Sequence, residues 1–350
     1  MDFKYYFLEQ LKRHPAVQPQ DVVKMCYQAA FGAEHLLSDI SAAKRYFDAE
    51  FDATESREGQ LFECLSDDVC RVDLGVWKNI GMPREWLFNM FVASADVRKD
   101  ASSDFEKYLV CAEEAFDGNV CFSIAEWRGF LAEYRARGGG AVHHSDIYRE
   151  KEKPAYRIVN SRFLRIFTIL EELNYISKAS GVRVIAIDGR AASGKTTLSE
   201  ILRTALGASV VRMDDFFLPP EFRTVDRLSE AGGNIHYERF CEEVIPFVGK
   251  KEGFSYGVFD CGSMSICGAC SVDASEWRIV EGSYSLHPKF GEYADYKVFC
   301  TVSPEEQMRR IISRNGERMA ERFKKEWIPM EEKYFEAFDV CERADIEIKL

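Results

Sequence analysis

The chain has 350 residues, a net charge of −12 from 46 Lys and Arg against 58 Asp and Glu, and eleven cysteines. That length supports two domains, each with its own core, and the acidic balance excludes a general nucleic-acid surface, because gripping a phosphate backbone needs a basic face. No apolar run approaches a membrane span, the start MDFKYYFLEQLKRHP is charged and amphipathic, and an odd cysteine count fits reduced thiols, so the expected setting is cytoplasmic, with no membrane and no nucleic-acid partner.

Residues 1–175 read as mostly helical. Asp2 caps a first helix through Leu11, and a turn at His14-Pro15 leads to a second over Val22–Leu37, whose buried face carries Val23, Cys26, Ala30 and Leu36-Leu37. Ser41–Phe51 continues the helical pattern, and Cys70–Leu74 is a short extended segment. Trp86–Ala95 and Phe105–Ala115 are amphipathic helices separated by a polar turn at Lys99–Asp104. Ser123–Arg137 is a helix stopped by Gly138-Gly139-Gly140, helical spacing resumes over Tyr156–Leu173, and Ser177–Gly181 is a linker. This half carries no motif that assigns chemistry. His143-His144 follow the triple glycine in a loop that Asp21 and Glu34-His35 could join in space, although helix caps and structural histidines account for the same residues. The module is expected to cover a catalytic domain or to dimerise it.

From Val182 strands alternate with helices, the pattern of a parallel sheet. Strands are expected at Val182–Asp188, Ser209–Met213, Arg278–Glu281, Lys297–Val302 and Asp345–Lys349, with a β-hairpin inserted over Phe254–Val272. After the first strand comes Gly189-Arg190-Ala191-Ala192-Ser193-Gly194-Lys195-Thr196, which satisfies G-x-x-x-x-G-K-[ST], and Thr197, Leu198 and Ile201-Leu202 open a helix. Strand, loop and helix in that order make a phosphate cradle. The loop from Gly189 through Ala192, Ser193 and Gly194 to Thr197 offers backbone N–H groups, the helix N-terminus adds positive potential, Lys195 reaches the outer phosphates and Thr196 ligates Mg²⁺. The expected ligand is a nucleoside triphosphate.

Strand two ends in Met213-Asp214-Asp215-Phe216-Phe217, where a carboxylate can accept a proton from a substrate hydroxyl and help hold Mg²⁺. Strand three ends in Ile279-Val280-Glu281-Gly282, an apolar run closed by an acid that can orient the metal or its waters. Past strand four, Arg310, Arg314 and Arg318 share i, i+4 spacing, as expected of a helical face that closes over phosphates. A solvated face paired with Glu305, Glu306, Glu317 and Glu321 explains some of the same charges. Cys261, Cys267 and Cys270 carry a metal-like spacing that would need a remote fourth ligand such as His236 or His287, and a thiol-bearing β-ribbon is the plainer alternative.

The segments IAIDGRAASGKTTL, VRMDDFFLP, GGNIHYERF, IVEGSYSLHP, YKVFCTV and RRIISRNGERMAERF…WIPMEEKYF together resemble the uridine kinase and phosphoribulokinase family of P-loop kinases over residues 180–350. The resemblance implies an α/β P-loop kinase fold, with a five-stranded parallel sheet and an inserted β-hairpin, preceded by a mostly α-helical domain. It implies ATP and Mg²⁺ as cofactors, a small-molecule acceptor (a nucleoside), Asp214 as catalytic carboxylate with Lys195, Arg314 and Arg318, and Thr196, Asp214 and Glu281 at the metal. Phe217 matches an aromatic position beside the nucleoside, and Tyr284 lies in the matching EGSYSLHP segment. Where uridine–cytidine kinases usually carry an aspartate for the ribose hydroxyls, this chain reads Asn-Ile-His-Tyr-Glu, so His236 or Glu238 would substitute. The activity expected is phosphorylation of the 5′-hydroxyl of uridine or cytidine. Alternatives are another nucleoside, a phosphosugar or pantothenate as acceptor, or a regulatory ATP-binding switch whose helical domain binds a partner. A homo-oligomer fits either reading.

Overall fold

The structure, a computed structural model, describes residues 3–33, 39–95, 101–116, 120–178 and 181–349. The chain divides into two compact units, Met1–Glu171 and Glu172–Leu350.

The first unit runs α1 (Phe3–Arg13), α2 (Pro19–Phe31), α3 (Ile40–Ala53), β1 (Phe62–Cys64), β2 (Val69–Asp73), α4 (Leu74–Asn79), α5 (Arg84–Val92), α6 (Ala101–Glu114), α7 (Ile124–Ala136), α8 (Asp146–Glu152) and β3 (Tyr156–Asn160), and α9 (Phe167–Ser177) crosses the division. Local chemistry sets these boundaries. Pro19 opens α2 and Asp21 takes the Gln18 N–H, while Ser123 and Glu126 form a reciprocal cap on α7. Gly32, at φ +61°, ends α2 one residue after Phe31, earlier than the expected Leu37; Glu34–Ser38 lie outside the described residues, as does Lys99. One expectation is corrected. Tyr156–Asn160 is not helix but the third strand of an antiparallel sheet ordered β1-β2-β3, with Cys70 opposite Val159. Its Arg157, Ile158 and Val159 are buried in succession, so both faces of the strand are covered, and the β-branched pair suits the pleat.

The second unit runs β4 (Arg183–Gly189), α10 (Lys195–Leu206), β5 (Ser209–Arg212), α11 (Val225–Ser229), α12 (Tyr237–Glu243), α13 (Ile245–Val248), β6 (Phe254–Asp260), β7 (Ser265–Val272), β8 (Trp277–Glu281), β9 (Tyr296–Thr301), α14 (Pro304–Asn315), α15 (Glu317–Arg322), α16 (Ile328–Ala337) and β10 (Ile346–Lys349). Five strands form a wholly parallel sheet ordered β10-β9-β4-β8-β5. The central strand β4 is buried at every residue, as its apolar run demands when both faces are covered. β6 and β7 form the separate hairpin, with Tyr256 opposite Cys270. All five sheet strands therefore present their carboxyl ends on one side, where the β4–α10 loop emerges and where open α/β sheets bind ligands.

Among the described residues, no helix is long and apolar enough to cross a membrane.

Candidate active site

Gly189 can only be glycine. Its φ is +131°, and a Cβ there would lie 2.0 Å from the Cys300 carbonyl oxygen on the neighbouring strand. The loop that follows is pinned at both ends, with Arg190 N–H donating to Cys300 O at 3.0 Å and Gly194, at φ +99°, standing at the start of α10. Lys195 is folded back on this loop. Its Nζ donates to Gly189 O at 2.7 Å and Arg190 O at 2.9 Å and lies 3.1 Å from Ser283 Oγ. Thr196 Oγ1 is 3.4 and 3.5 Å from the two carboxylate oxygens of Glu281, which ends β8 beside β4. Sheet order and the glycine-bounded loop after β4 together decide the architecture. The second unit has a P-loop kinase fold.

No family model and no curated protein matches this chain. Among solved structures it is similar to a "possible uridine kinase" from Bacillus stearothermophilus, at 20% identity and a TM-score of 0.41, covering 53% of this chain and 97% of that one. It is also similar to a candidate fructose transport system kinase from Silicibacter sp. TM1040, at 25% identity and a TM-score of 0.39, covering 46% and 87% of the two chains. Strand order and loop carry the fold without them.

The electrostatics of the site turn on one lysine among buried acids. Asp188, Glu281 and Glu331 are each under a tenth exposed, and burial pushes all three carboxyls above their usual range while the Lys195 charge pulls them back. Asp214 adds to the upward push on Glu281. It stands exposed on the 3₁₀ turn Met213–Phe216 after β5, and among the described residues its side chain receives no hydrogen bond. Its neighbour Asp215 turns the other way, taking the Tyr256 hydroxyl at 2.9 Å. A groove of about 660 Å³ between β5 and the hairpin is walled by Asp215 and Tyr256, but by none of Lys195, Thr196, Asp214 or Glu281.

The acceptor-side candidates occupy varied positions. Phe217 is half-buried and bridged through its backbone to Ile235. His236 caps α12, its Nδ1 accepting from Arg239 N–H at 3.3 Å, and its ring meets Phe222 edge-on. Glu238 is held by both terminal nitrogens of Arg227, at 2.7 and 3.0 Å. Tyr284 is only 2% exposed, with its ring against Tyr334 and a φ of +77° that a bulky residue rarely adopts. That backbone is held because Asp188 accepts the N–H groups of both Tyr284 and Leu286, at 3.0 and 2.9 Å. A ring so buried supports the site rather than lining it.

The arginines do not form one continuous face. Gly316 ends α14 and α15 begins anew, so Arg318 falls off the i, i+4 line from Arg310 through Arg314. Arg314 bonds Asn315 and Arg318 is exposed, whereas Arg310 reaches the loop, donating to Ala192 O at 3.2 Å and pairing with Glu306 at 2.7 Å. The hairpin cysteines are dispersed. Cys261 and Cys267 are exposed, and among the described residues no three His, Cys, Asp or Glu side chains are grouped to hold a metal.

Several residues escaped the sequence reading. Asp188 signalled itself as the acid inside an apolar strand, and it is fully buried with four donors: the N–H groups of Gly189, Tyr284 and Leu286 and the Tyr334 hydroxyl. Ser283, Gln307 and Glu331 had no such signal. Buried Arg239 donates to the carbonyls of Asp215 and Gly257, fixing the hairpin to the turn that carries Asp214.

The first unit holds a polar cluster of its own. Asp21 does meet His144, at 2.8 Å from Nδ1, and also takes the Ser145 N–H and hydroxyl. His144 Nε2 is 2.7 Å from the Tyr156 hydroxyl, and burial lowers its pKa to about 4 against the pull of Asp21. His14 is bracketed by Glu152 and Glu63, each at 3.1 Å. Burial opposes a charge there but is outweighed by the hydrogen bonds to those carboxylates, so its pKa is raised.

Proposed function

We propose that the second unit is an ATP- and Mg²⁺-dependent kinase of a small-molecule hydroxyl, with the 5′-hydroxyl of uridine or cytidine as acceptor. The observation that carries this reading is the convergence, at the carboxyl ends of adjacent strands, of a glycine-bounded phosphate loop, a Thr196–Glu281 oxygen pair and an unencumbered Asp214. The donor set fits the group. A hydroxyl and a carboxylate are the hard oxygen ligands that Mg²⁺ takes. Thr196 and Glu281, with Asp214 nearby, would hold the metal, and the loop from Gly189 to Thr197 the phosphates.

Bound ATP and Mg²⁺ supply an electrophilic γ-phosphoryl group with part of its charge already neutralised. The chain does the rest. Lys195 exchanges its resting contacts with the Gly189 and Arg190 carbonyls for phosphate oxygens. Asp214 orients the acceptor hydroxyl and takes its proton. Arg314 and Arg318 offset charge on the transferring group, and Phe217 and His236 shape the acceptor side, with Glu238 and Tyr284 behind them.

The test is ATP consumption by the full chain over a panel of nucleosides, phosphosugars and pantothenate. Uridine or cytidine should accelerate it and EDTA should stop it. Acceleration by a different acceptor would replace the substrate, and no acceleration by any acceptor would leave an ATP-binding switch instead.

A further inference from the structure

Ala191, inside the nucleotide loop, has both of its peptide groups taken by side chains. Its N–H donates to Glu331 Oε2 at 2.9 Å, and its carbonyl accepts from Gln307 Nε2 at 3.0 Å. Gln307 belongs to α14 and Glu331 to α16, and both are buried, at 4% and 7% exposure. The adjoining loop residues are gripped in the same way. Arg190 is bound through two nitrogens by Glu332 of α16, at 2.8 and 3.0 Å, and Ala192 O accepts from Arg310 of α14.

Between these anchors lies the segment 311–327, with Arg314, Arg318 and Arg322 exposed. It therefore leaves and rejoins the core through two helices that meet at Ala191, α14 also holding Ala192 and α16 also holding Arg190. Burying a carboxylate and a carboxamide is costly unless each finds a partner, and here the partners are the peptide groups of the nucleotide loop itself. Glu331 is also one hydroxyl away from the loop lysine, since its Oε1 accepts from Ser283 Oγ at 2.7 Å and Ser283 Oγ is 3.1 Å from Lys195 Nζ.

We propose that Gln307 and Glu331 are positioning residues that couple occupancy of the nucleotide loop to the placement of the arginine segment 311–327, Gln307 through the carbonyl of Ala191 and Glu331 through its N–H. This rests on the kinase reading above. When Lys195 turns from the Gly189 and Arg190 carbonyls toward phosphate, Ser283 loses its ammonium neighbour, and any shift of Ala191 is passed to α14 and α16 together. Packed helices answer such a shift as units, so both ends of the arginine segment move with the loop.

The experiment is hydrogen exchange of the full chain with and without ATP and Mg²⁺, on the wild type, Gln307→Ala, Glu331→Gln and Glu331→Ala, alongside kcat and KM. In the wild type ATP should slow exchange over 311–327 by about tenfold. Gln307→Ala should bind ATP yet lose that protection, and lose kcat more than KM for ATP rises. Glu331→Gln, whose amide carbonyl can still accept from Ala191, should keep the protection that Glu331→Ala loses. Should Glu331→Ala fail to fold, Gln307→Ala and Glu331→Gln carry the comparison. Unchanged protection in Gln307→Ala, or ATP binding by the wild type with no change over 311–327, overturns the coupling alone. No ATP binding by the wild type removes the kinase reading and the coupling with it.

Discussion

Replacing Asp214 by Asn removes a proton acceptor while leaving shape intact. The side chain is exposed on the 3₁₀ turn after β5 and accepts no hydrogen bond among the described residues, so the fold loses nothing that it was using. Stability should stay within about 0.5 kcal/mol of wild type. A positioned general base contributes roughly 10²–10⁴ to the rate, so kcat should fall by that factor, equivalent to about 3–5.5 kcal/mol of barrier. The substitution also relieves Glu281 of a like charge and lets its carboxyl fall back toward its usual range. The assay is ADP release at saturating ATP and uridine, run beside binding of a fluorescent ATP analogue and thermal melting. Lost turnover with retained ATP binding is the expected result. A kcat near wild type would refute the assignment, and joint loss of binding and turnover would make Asp214 a metal ligand first.

Lys195→Ala should abolish turnover, and with the ammonium gone the buried carboxyls of Asp188, Glu281 and Glu331 should rise further above their usual range; residual activity above about 1% would count against its role at the phosphates. Gly189→Ala should cost more than about 3 kcal/mol and lower soluble yield, since the new methyl meets main-chain atoms of Cys300 that cannot swing aside; a melting temperature near wild type would contradict that geometry. The two bonded histidines of the first unit should pull in opposite directions with pH. His14, raised in the fold, contributes stability that is complete below the unfolded value of 6.5 and is lost as pH rises through its folded pKa. His144, lowered to about 4, contributes stability that is present above 6.5 and is lost as pH falls toward about 4. Imidazole NMR titration of His14→Gln and His144→Asn variants against wild type checks both, and a midpoint near 6.5 for either residue would overturn its placement.

The second unit was legible because its cues are local. β4 carries the apolar run Val184–Ile187, the loop needs glycine where the backbone passes Cys300, and the later strands are short apolar runs between turns, so all five strands fell within two residues of expectation. The first unit was less so. β3 is five residues long and runs through a 3₁₀ turn into helix α9, so a window spanning all three reads as one helical stretch. Asp21 and His144 could be suspected of meeting, because each follows a turn signal, but the Tyr156 hydroxyl that completes the chain came with the strand. Glu331 was out of reach for a different reason. Its partner Ala191 is 140 residues away, and an acid in MEEKYF is indistinguishable from a solvated one until the helix is placed.

The contact between Gly189 and residue 300 uses only main chain on the far side, and this bears on how the protein can be labelled. The Cys300 thiol is buried, with burial raising its pKa to about 12, so it is unreactive at neutral pH. Cys121, Cys261 and Cys267 are the exposed cysteines. A thiol-directed dye should therefore react first at the two exposed hairpin cysteines and at Cys121 while Cys300, beside the loop after β4, goes untouched. With Cys121 replaced, the most exposed thiols left are Cys261 and Cys267, so the earliest labelling would report on the hairpin while Cys300 keeps its native thiol.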